Sequence, residues 1–240
     1  MKKIIKKIFR MLLSPFIILD YLKFKRISDK RSPLSFFDFY PCIKDKTIKT
    51  NFDAHYVYHT SWATRKIKEI NPSMHTDISS SLYFSGIVSA FIPIDFYDYR
   101  PAELNLSNLT CKHADLIELP FPDKSVNSLS CMHTVEHIGL GRYGDKIDPD
   151  GDLKAINELI RVTAVGGSIL FVVPVGKPKI EFNAHRIYSY EQIEEYFKGL
   201  ILKEFTLITD KGDYIENSDK NLVKELKYGC GCFWFIKNNI

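Results

Sequence analysis

The sequence predicts an α/β fold: a doubly wound, mostly parallel sheet with an antiparallel edge strand, preceded by an N-terminal helical extension. From about residue 53 onwards, short apolar runs typical of strands alternate with stretches whose apolar residues recur at helical spacing. Apolar residues make up 45% of the chain and aromatic residues 13%, which is enough for a large core. The 240-residue length suits one domain with an appended segment.

The N-terminal segment, residues 1–31, is strongly basic. It holds ten of the 33 Lys and Arg residues but only two of the 29 Asp and Glu residues. Pro15 and Asp20 interrupt its apolar run, which is therefore too short to span a membrane. Lysine pairs alternating with Ile and Phe are typical of a helix that lies on an anionic membrane surface. The alternative is a helix docked on the domain with solvated lysines.

These features predict a cytoplasmic protein that associates through residues 1–22 with the inner face of a membrane. Residues 32–52 are polar, contain prolines and read as a linker or irregular lead-in to the α/β domain at residues 53–240. Acidic residues outnumber basic ones beyond residue 31, so no nucleic-acid partner is expected.

The first half of the domain is predicted to alternate helices and strands. Trp62, Ala63 and Ile67 recur at helical spacing, and Asn71-Pro72 stops this first helix. Short apolar runs ending in acidic residues predict the strands, and apolar residues at helical spacing predict the next helix. The predicted helices cover residues 59–70, 82–91 and 101–109, and the predicted strands cover residues 74–78, 92–97, 111–114 and 126–132.

The second half is predicted to continue the same pattern. Gly166-Gly167 is interpreted as the terminator of a helix over residues 153–162, and Pro174 as the end of a strongly apolar strand over 168–173. A helix over residues 190–197 and strands over 200–207 and 230–237 follow.

The cysteines predict free thiols in a reducing cytosol. Their number is odd, none forms a C-x-x-C pair, and Cys230-Gly-Cys232 is too tight for an ordinary disulfide. The five are Cys42, Cys111, Cys131, Cys230 and Cys232.

Acidic residues lie at the carboxyl ends of three successive predicted strands: Asp77, Asp98 and Asp115. Ligands of open α/β sheets bind just beyond those ends. Carboxylates there suit ribose hydroxyls, an exocyclic amine or a cationic group, and would repel phosphates. They therefore indicate a nucleoside-bearing cofactor with a positive centre, although a single aspartate at such a place is often a helix cap.

These motifs resemble class I S-adenosylmethionine-dependent methyltransferases over about residues 70–200. Asp77 with its small-residue turn is similar to the first motif, Asp98 to the second acid, and Ala114-Asp115 to the third. The family's glycine-rich turn is replaced by Ile78-Ser-Ser-Ser81; serine is small and donates hydrogen bonds, so binding can persist. The resemblance implies a Rossmann-like fold and S-adenosylmethionine as cofactor. The cofactor-binding residues it implies are Asp77, Ser79, Ser81, Asp98, Asp115 and His133.

A second, narrower resemblance covers about residues 50–240 and points to the Domain of Unknown Function 268 family. That family is regarded as methyltransferase-like and is often associated with surface-polysaccharide gene clusters, which implies a sugar or glycan precursor as substrate. The motifs that carry it are His55-Tyr56, Ser61-Trp-Ala63, His75-Thr-Asp77, Asp98-Tyr-Arg-Pro101, Val135-Glu-His-Ile-Gly-Leu-Gly-Arg-Tyr-Gly-Asp145 and Phe182-Asn-Ala-His-Arg186.

The polar stretch at residues 130–145 admits three interpretations. His133-Thr-Val-Glu-His137 fits the H-x-x-E-H pattern of a zinc peptidase, but Gly139 and Gly141 would cut its helix short, so no metal site is expected. In the methyltransferase interpretation, His137 is the general base with Glu136 orienting it. The third interpretation is purely structural, with Glu136 and His137 bracing a loop and Arg142 and Asp145 paired on the surface.

The methyltransferase interpretation also implies a substrate site. Its expected members are Arg142, Tyr143, Asp145, His185 and Arg186. The first hypothesis for function is thus methyl transfer to a sugar or surface-polysaccharide precursor. Two alternatives remain: a non-catalytic binding module with a methyltransferase fold, and another transferase or hydrolase reaction in the same cleft.

Overall fold

A computed structural model describes residues 15–28 and 31–238, and the chain forms two units, residues 1–52 and 53–240. The first unit contains helix α1 (Pro15–Ile27) and a 3-10 turn (Phe36–Asp38). Proline suits the first position of a helix, where its missing N–H has no partner to lose. The Tyr21 ring packs edge-on against Phe36 and Phe39, with centroids 5.9 and 5.5 Å apart. The basic stretch before Pro15 lies outside the described residues.

The second unit is built on an eight-stranded sheet in the order β3-β2-β1-β4-β5-β10-β8-β9. Strands β1 to β5 are parallel, and β10 lies antiparallel between β5 and β8. The strands are β1 (His75–Ile78), β2 (Ile94–Asp98), β3 (Leu109–His113), β4 (Val126–Met132), β5 (Thr163–Val175), β6 (Lys179–Glu181), β7 (His185–Ile187), β8 (Leu200–Ile208), β9 (Tyr214–Ile215) and β10 (Gly229–Lys237), of which β6 and β7 form a separate hairpin. This topology confirms the predicted fold class.

Helices cover both faces of the sheet. They are α2 (Ala54–Ile70), α3 (Leu82–Val88), α4 (Gly151–Val162) and α5 (Tyr190–Tyr196), with 3-10 turns at Val135–His137 and Lys220–Glu225. Side chains alternate across a strand, so β5 sends Ile169 and Phe171 into one buried cluster and Leu170 and Val172 into the other. Among the described helices, none combines the length and the apolar character needed to cross a bilayer.

The Gly-Gly pair is not a helix terminator. Helix α4 already ends at Val162, where the Thr163 hydroxyl donates a 2.6 Å hydrogen bond to the Leu159 carbonyl. Strand β5 then runs through the glycines. Gly166 has a φ of 76°, and the pairing of β5 with β4 shifts register there, which is typical of a bulge.

Two further predictions were wrong in extent or type. Pro174 does not end its strand, because it pairs with Cys230 on β10 and its carbonyl accepts the Tyr188 N–H at 3.0 Å. Residues 101–105 have no regular structure and residues 107–108 form a turn, so no helix is present there; Asn108 leads into β3 with a φ of 60°.

Candidate active site

Two adjoining clefts lie at the carboxyl ends of the parallel strands, where ligands bind in folds of this type. The larger has a volume of about 810 Å³ and the smaller about 340 Å³. Their shared wall is formed by Ser79, His133, His137 and Tyr143, which line both clefts.

The smaller cleft combines apolar walls with two carboxylates. Asp98 ends β2, and Asp115 follows β3. The Asp98 Oδ1 accepts the Arg100 N–H at 2.7 Å, and the Asp115 Oδ1 accepts the Ile117 N–H at 3.1 Å. A carboxylate can accept further hydrogen bonds, so each retains capacity for a ligand. Ala114, Leu116, Ile117 and Ile138 supply apolar surface in the same cleft. Flat apolar walls beside fixed carboxylates fit a nucleoside.

The serine turn between β1 and α3 keeps the backbone shape that glycine ordinarily supplies. Ser79 adopts a left-handed conformation, with a φ of 55°. Its N–H and its hydroxyl both donate to the Tyr97 carbonyl, at 2.7 and 3.0 Å. The Ser80 hydroxyl accepts the Met132 N–H at 3.1 Å. All three serines of the turn, Ser79, Ser80 and Ser81, line the larger cleft.

Asp77 does not reach either cleft, in contrast to the prediction. It is fully buried, and its two oxygens accept hydrogen bonds of 2.6 Å from Ser85 and Ser130. Ser130 also bonds the Nε2 of His75, whose Nδ1 meets Ser128 at 2.8 Å. Burial raises the pKa of Asp77 to about 6 and lowers the pKa of His75 to about 3. Asp77 therefore belongs to a buried chain of hydrogen bonds that runs through Ser130 to His75, which we call the buried relay.

His133 turns into the site immediately after β4. Its φ is 54°, its backbone N–H donates to the Val172 carbonyl, and its Nδ1 lies 2.9 Å from the Glu136 Oε1. Glu136 is only 1% exposed. Burial opposes protonation of His133, but the neighbouring Cys230 sulfur and Glu136 carboxylate raise the pKa of His133 above its ordinary value.

His137 lines both clefts with its ring held in one tautomer. Its Nδ1 lies 2.6 Å from the Ala184 carbonyl oxygen, which can only accept, so Nδ1 carries the proton and Nε2 presents a lone pair. Burial lowers the pKa of His137, which keeps the ring neutral at neutral pH. Its Nε2 is 3.9 Å from the Glu136 Oε1. The Ala184 carbonyl thus orients His137, whereas Glu136 pairs with His133, which corrects the expected role of Glu136.

The glycine-jointed loop after His137 is held together by Asp145. This carboxylate accepts the N–H groups of Gly139, Gly141 and Tyr143 at 2.8 to 3.2 Å. Burial works against its charge, but the three N–H groups lower the pKa of Asp145 below its ordinary value. Asp145 lines the smaller cleft but chiefly shapes the loop, and it is not the surface partner of Arg142 that the structural interpretation required.

Arg142 and Tyr143 project from this loop into the larger cleft. The Arg142 Nη1 donates a 2.9 Å hydrogen bond to the Ala184 carbonyl. The guanidinium groups of Arg142 and Arg100 lie 5.1 and 4.9 Å from the centre of the Tyr143 ring. These cation–π contacts fix the ring at the wall shared by the two clefts.

His185 and Arg186 are adjacent in sequence, but their side chains lie in different places. His185 lines the larger cleft and packs against the Tyr228 ring, 5.1 Å away between centroids. Arg186 is only 5% exposed, donates a 2.6 Å hydrogen bond to the Ile138 carbonyl and lies 3.5 Å from the Asp152 carboxylate. Arg186 therefore holds the loop from behind, and unlike His185 it lines neither cleft.

Several residues of the larger cleft were not predicted from the sequence. They are Asp53, His55, Tyr56, Ser80, Asp210 and Tyr228. His55-Tyr56 is part of a family motif, which was the available signal for that pair. The others come from the ends of separate elements, where no local pattern marks them.

All five cysteines are free thiols. Cys131, Cys230 and Cys232 are buried, whereas Cys111 is half-buried and Cys42 is exposed. Burial raises the pKa of both Cys131 and Cys230. The Cys230 sulfur lies 3.4 Å from the His133 Nε2.

Residues 122–224 match the sequence profile of a family described as "Caenorhabditis protein of unknown function, DUF268". A search of curated protein sequences found no match. Among solved structures, the chain is similar to the N-methyltransferase NodS from Bradyrhizobium japonicum in complex with S-adenosyl-L-homocysteine, with a TM-score of 0.56, 10% identity, and coverage of 79% of this chain and 90% of that one.

Two other solved structures have the same fold. The YcgJ protein from Bacillus subtilis has a TM-score of 0.55 and 13% identity, and covers 77% of this chain and 100% of its own. The cyclase SpnF has a TM-score of 0.52 and 13% identity, with coverage of 73% and 80%. At these identities the likeness concerns the fold. The resemblance to the Domain of Unknown Function 268 family is thus confirmed over residues 122–224, and the chain has the fold of class I S-adenosylmethionine-dependent methyltransferases.

Proposed function

We propose that this protein transfers a methyl group from S-adenosylmethionine to a hydroxyl group of a sugar or glycan precursor. The observation that carries the proposal is the position of His137, which lines both the carboxylate-rimmed cleft and the larger polar one. A base at the junction of a nucleoside site and an acceptor site is what methyl transfer to a hydroxyl requires.

The smaller cleft fits the nucleoside half of the cofactor. Asp98 and Asp115 would accept hydrogen bonds from the ribose and the base, and Leu116 and Ile117 would contact the base. Ser79 and Ser81 would hold the amino-acid half. When bound, S-adenosylmethionine supplies an electrophilic methyl group on a sulfonium centre.

The larger cleft fits a hydroxyl-rich acceptor. Arg142, Tyr143 and His185 present donors and an aromatic face, and His137 presents an unprotonated Nε2. In the proposed reaction, His137 takes the proton of the acceptor hydroxyl while the protein holds that oxygen in line with the methyl group.

Calorimetric titration with S-adenosylhomocysteine tests the cofactor part of this proposal. The full chain should bind one equivalent, and Asp98→Asn should weaken binding about tenfold or more, because hydrogen bonds to charged groups contribute about 1.5–3 kcal/mol. Asp95→Asn is the matched control, since Asp95 lies on the same strand but pairs with Lys112. Absence of binding by the unaltered chain contradicts the proposal.

The acceptor class is tested by incubating the protein with methyl-labelled S-adenosylmethionine and a panel of nucleotide sugars and lipid-linked saccharides. Label in a sugar supports the proposal, and label only in non-sugar acceptors contradicts it. Another reaction is the second candidate, because the cyclase SpnF has the same fold. Turnover of a substrate without any methyl donor would favour that candidate.

We also propose that the N-terminal segment binds the surface of an anionic membrane. Phe16, Leu19 and Leu22 on α1 are 54–78% exposed, and residues 1–22 contain five Lys and Arg residues. Exposed apolar side chains beside cations suit a lipid interface. The full chain should sediment with anionic vesicles, and a chain lacking residues 1–22 should not; equal sedimentation of both contradicts this assignment.

A further inference from the structure

Three metal-binding side chains from distant parts of the chain meet at one side of the larger cleft. His55 comes from the first turn of α2, His133 follows β4, and Cys230 is the second residue of β10. One ligand atom of each lies within 4.8 Å of the ligand atoms of the other two. Among the residues that the structure describes, this is the group of three or more such side chains that could hold a metal ion.

The closest pair already has the spacing of a metal site. The Cys230 Sγ is 3.4 Å from the His133 Nε2. In a tetrahedral zinc site, bond lengths of about 2.3 Å to sulfur and 2.0–2.1 Å to nitrogen place two such ligands about 3.6 Å apart. The ligand atoms of the three side chains lie within 4.8 Å of one another, so His55 needs to approach by no more than about 1.5 Å. Its ring, now at 9° to the His133 ring, also needs to rotate so that both nitrogens point at one ion.

Glu136 orients His133 in the way that carboxylates orient zinc-bound histidines. The His133 Nδ1 meets the Glu136 Oε1 at 2.9 Å, so the imidazole donates at Nδ1 and presents Nε2 to Cys230. Histidines that bind metals almost always donate their other ring N–H to a carboxylate or carbonyl group, which fixes the tautomer. This pairing explains why a nearly inaccessible glutamate lies behind the ring.

Two buried polar atoms beside the cluster have no hydrogen-bond partner among the described residues: the Nε2 of His59 and the Oε2 of Glu136. His59 is fully buried, its ring centre lies 5.0 Å from that of His133, and its Nδ1 bonds the His55 carbonyl at 2.7 Å. Buried polar groups are rarely left unsatisfied. The region around His133 therefore holds more buried polar groups than the described residues satisfy.

The backbone of His133 adopts an unfavourable left-handed conformation at this position. Its φ of 54° is uncommon for a residue other than glycine and is associated with functional sites. His55 and His133 both line the larger cleft, so a metal bound there would have a coordination position open to that cleft. Catalytic zinc sites have this arrangement, with three protein ligands and one open position.

We propose that His55, His133 and Cys230 bind a zinc ion whose fourth position faces the larger cleft. Binding displaces the proton of the Cys230 thiol and, where His133 is charged, the proton on its Nε2; these protons go to solvent, and both histidines are neutral in the complex. The open position takes water or an oxygen or sulfur atom of a bound molecule. The assignment does not depend on methyl transfer, and it departs from the absence of a metal site that the sequence favours.

The test uses the full chain after removal of metals with a chelator. Added zinc should bind with a stoichiometry of one per chain by mass spectrometry after desalting, and added cobalt(II) should produce a thiolate-to-cobalt absorption band. Cys230→Ser should abolish the band and weaken zinc binding about 100-fold or more. Cys232→Ser is the matched control, because Cys232 is equally buried on the same strand but lies outside the cluster.

His55→Ala provides a second variant at a half-buried helix position, should Cys230→Ser fail to fold. It should lower zinc affinity while circular dichroism remains unchanged. If the unaltered chain binds no stoichiometric zinc and gives no band, or if Cys230→Ser, His55→Ala and Cys232→Ser all bind alike, the proposal is overturned and His133 and Cys230 form only an imidazole–thiol contact. Titration with S-adenosylhomocysteine in the same samples reports the cofactor site separately.

Discussion

The buried relay of His75, Ser130 and Asp77 predicts an unusual dependence of stability on pH. In the folded chain the pKa of His75 is about 3, against an ordinary value of 6.5, so below pH 6.5 the unfolded chain takes up a proton that the folded chain does not. Between pH 6.5 and pH 3, the free energy of unfolding therefore falls by about 1.4 kcal/mol for each unit that the pH falls.

Asp77 acts in the opposite direction. Its pKa of about 6 in the folded chain exceeds the ordinary 3.8, so between those values the folded chain takes up a proton first. The free energy of unfolding then rises by about 1.4 kcal/mol for each unit that the pH falls. The two contributions offset each other between about pH 6 and pH 4 in the unaltered protein.

Asp77→Asn removes one half of this balance while keeping the size of the side chain. The amide oxygen can still accept the Ser130 hydroxyl, whereas at Ser85 the amide NH₂ must donate to a rotated hydroxyl. Between pH 6 and pH 4 the variant should lose about 3 kcal/mol more unfolding free energy than the unaltered protein. Urea unfolding at both pH values measures the difference, and Asp95→Asn, which alters a carboxylate outside the relay, should behave like the unaltered protein. A difference below about 1 kcal/mol for Asp77→Asn would refute the reasoning.

His137→Gln should leave the affinity for S-adenosylhomocysteine within about twofold but lower methyl transfer at least about 100-fold, because a general base contributes that much; unchanged turnover removes it as the base. Arg186→Met should destabilise the fold by about 3 kcal/mol, because it breaks a buried charged contact; urea unfolding measures this, and a loss below about 1 kcal/mol argues against the buried role. Gly139→Ala should lower the free energy of unfolding, measured with urea, by well over the roughly 1–2 kcal/mol expected for Gly144→Ala. Both glycines have a positive φ. A Cβ at Gly139 would collide with the Asp148 backbone oxygen, whereas a Cβ at Gly144 would meet open space. Equal losses of unfolding free energy in the two variants would exclude the steric explanation.

The parallel sheet could be predicted because its strands carry local patterns. Residues 126–132 alternate and end in a polar loop, and β4 has those bounds. The bulge at Gly166-Gly167 could not be recognised, because residues 164–167 come to lie opposite the single residue Asn127 only when the partner strand is in place. A glycine pair after a helix looks the same in sequence whether it ends the helix or bends the next strand.

The strand-end acids show why equivalent positions can differ in role. Asp98 is the last residue of β2, so its carboxylate reaches the cleft, whereas Asp77 precedes the last residue of β1 and stays within the sheet among hydroxyl groups. A shift of one residue in a strand reverses the direction of the side chain. The sequence marks both as acids near a strand end but does not fix where the strand stops.

The cluster of His55, His133 and Cys230 was beyond prediction for a different reason. Its members lie in three segments that only the folded sheet brings together. The H-x-x-E-H pattern drew attention to His133 and His137 as a ligand pair on one helix, but a 3-10 turn separates them and turns His137 toward Ala184.

Ligands in the two clefts would contact the same four residues of the shared wall, so under the proposed function their affinities are expected to depend on each other. By linkage, an acceptor that changes the affinity for S-adenosylhomocysteine by some factor must have its own affinity changed by that same factor when the cofactor product is present. An unknown acceptor can therefore be sought by testing which candidate molecules change the affinity measured in a titration with S-adenosylhomocysteine.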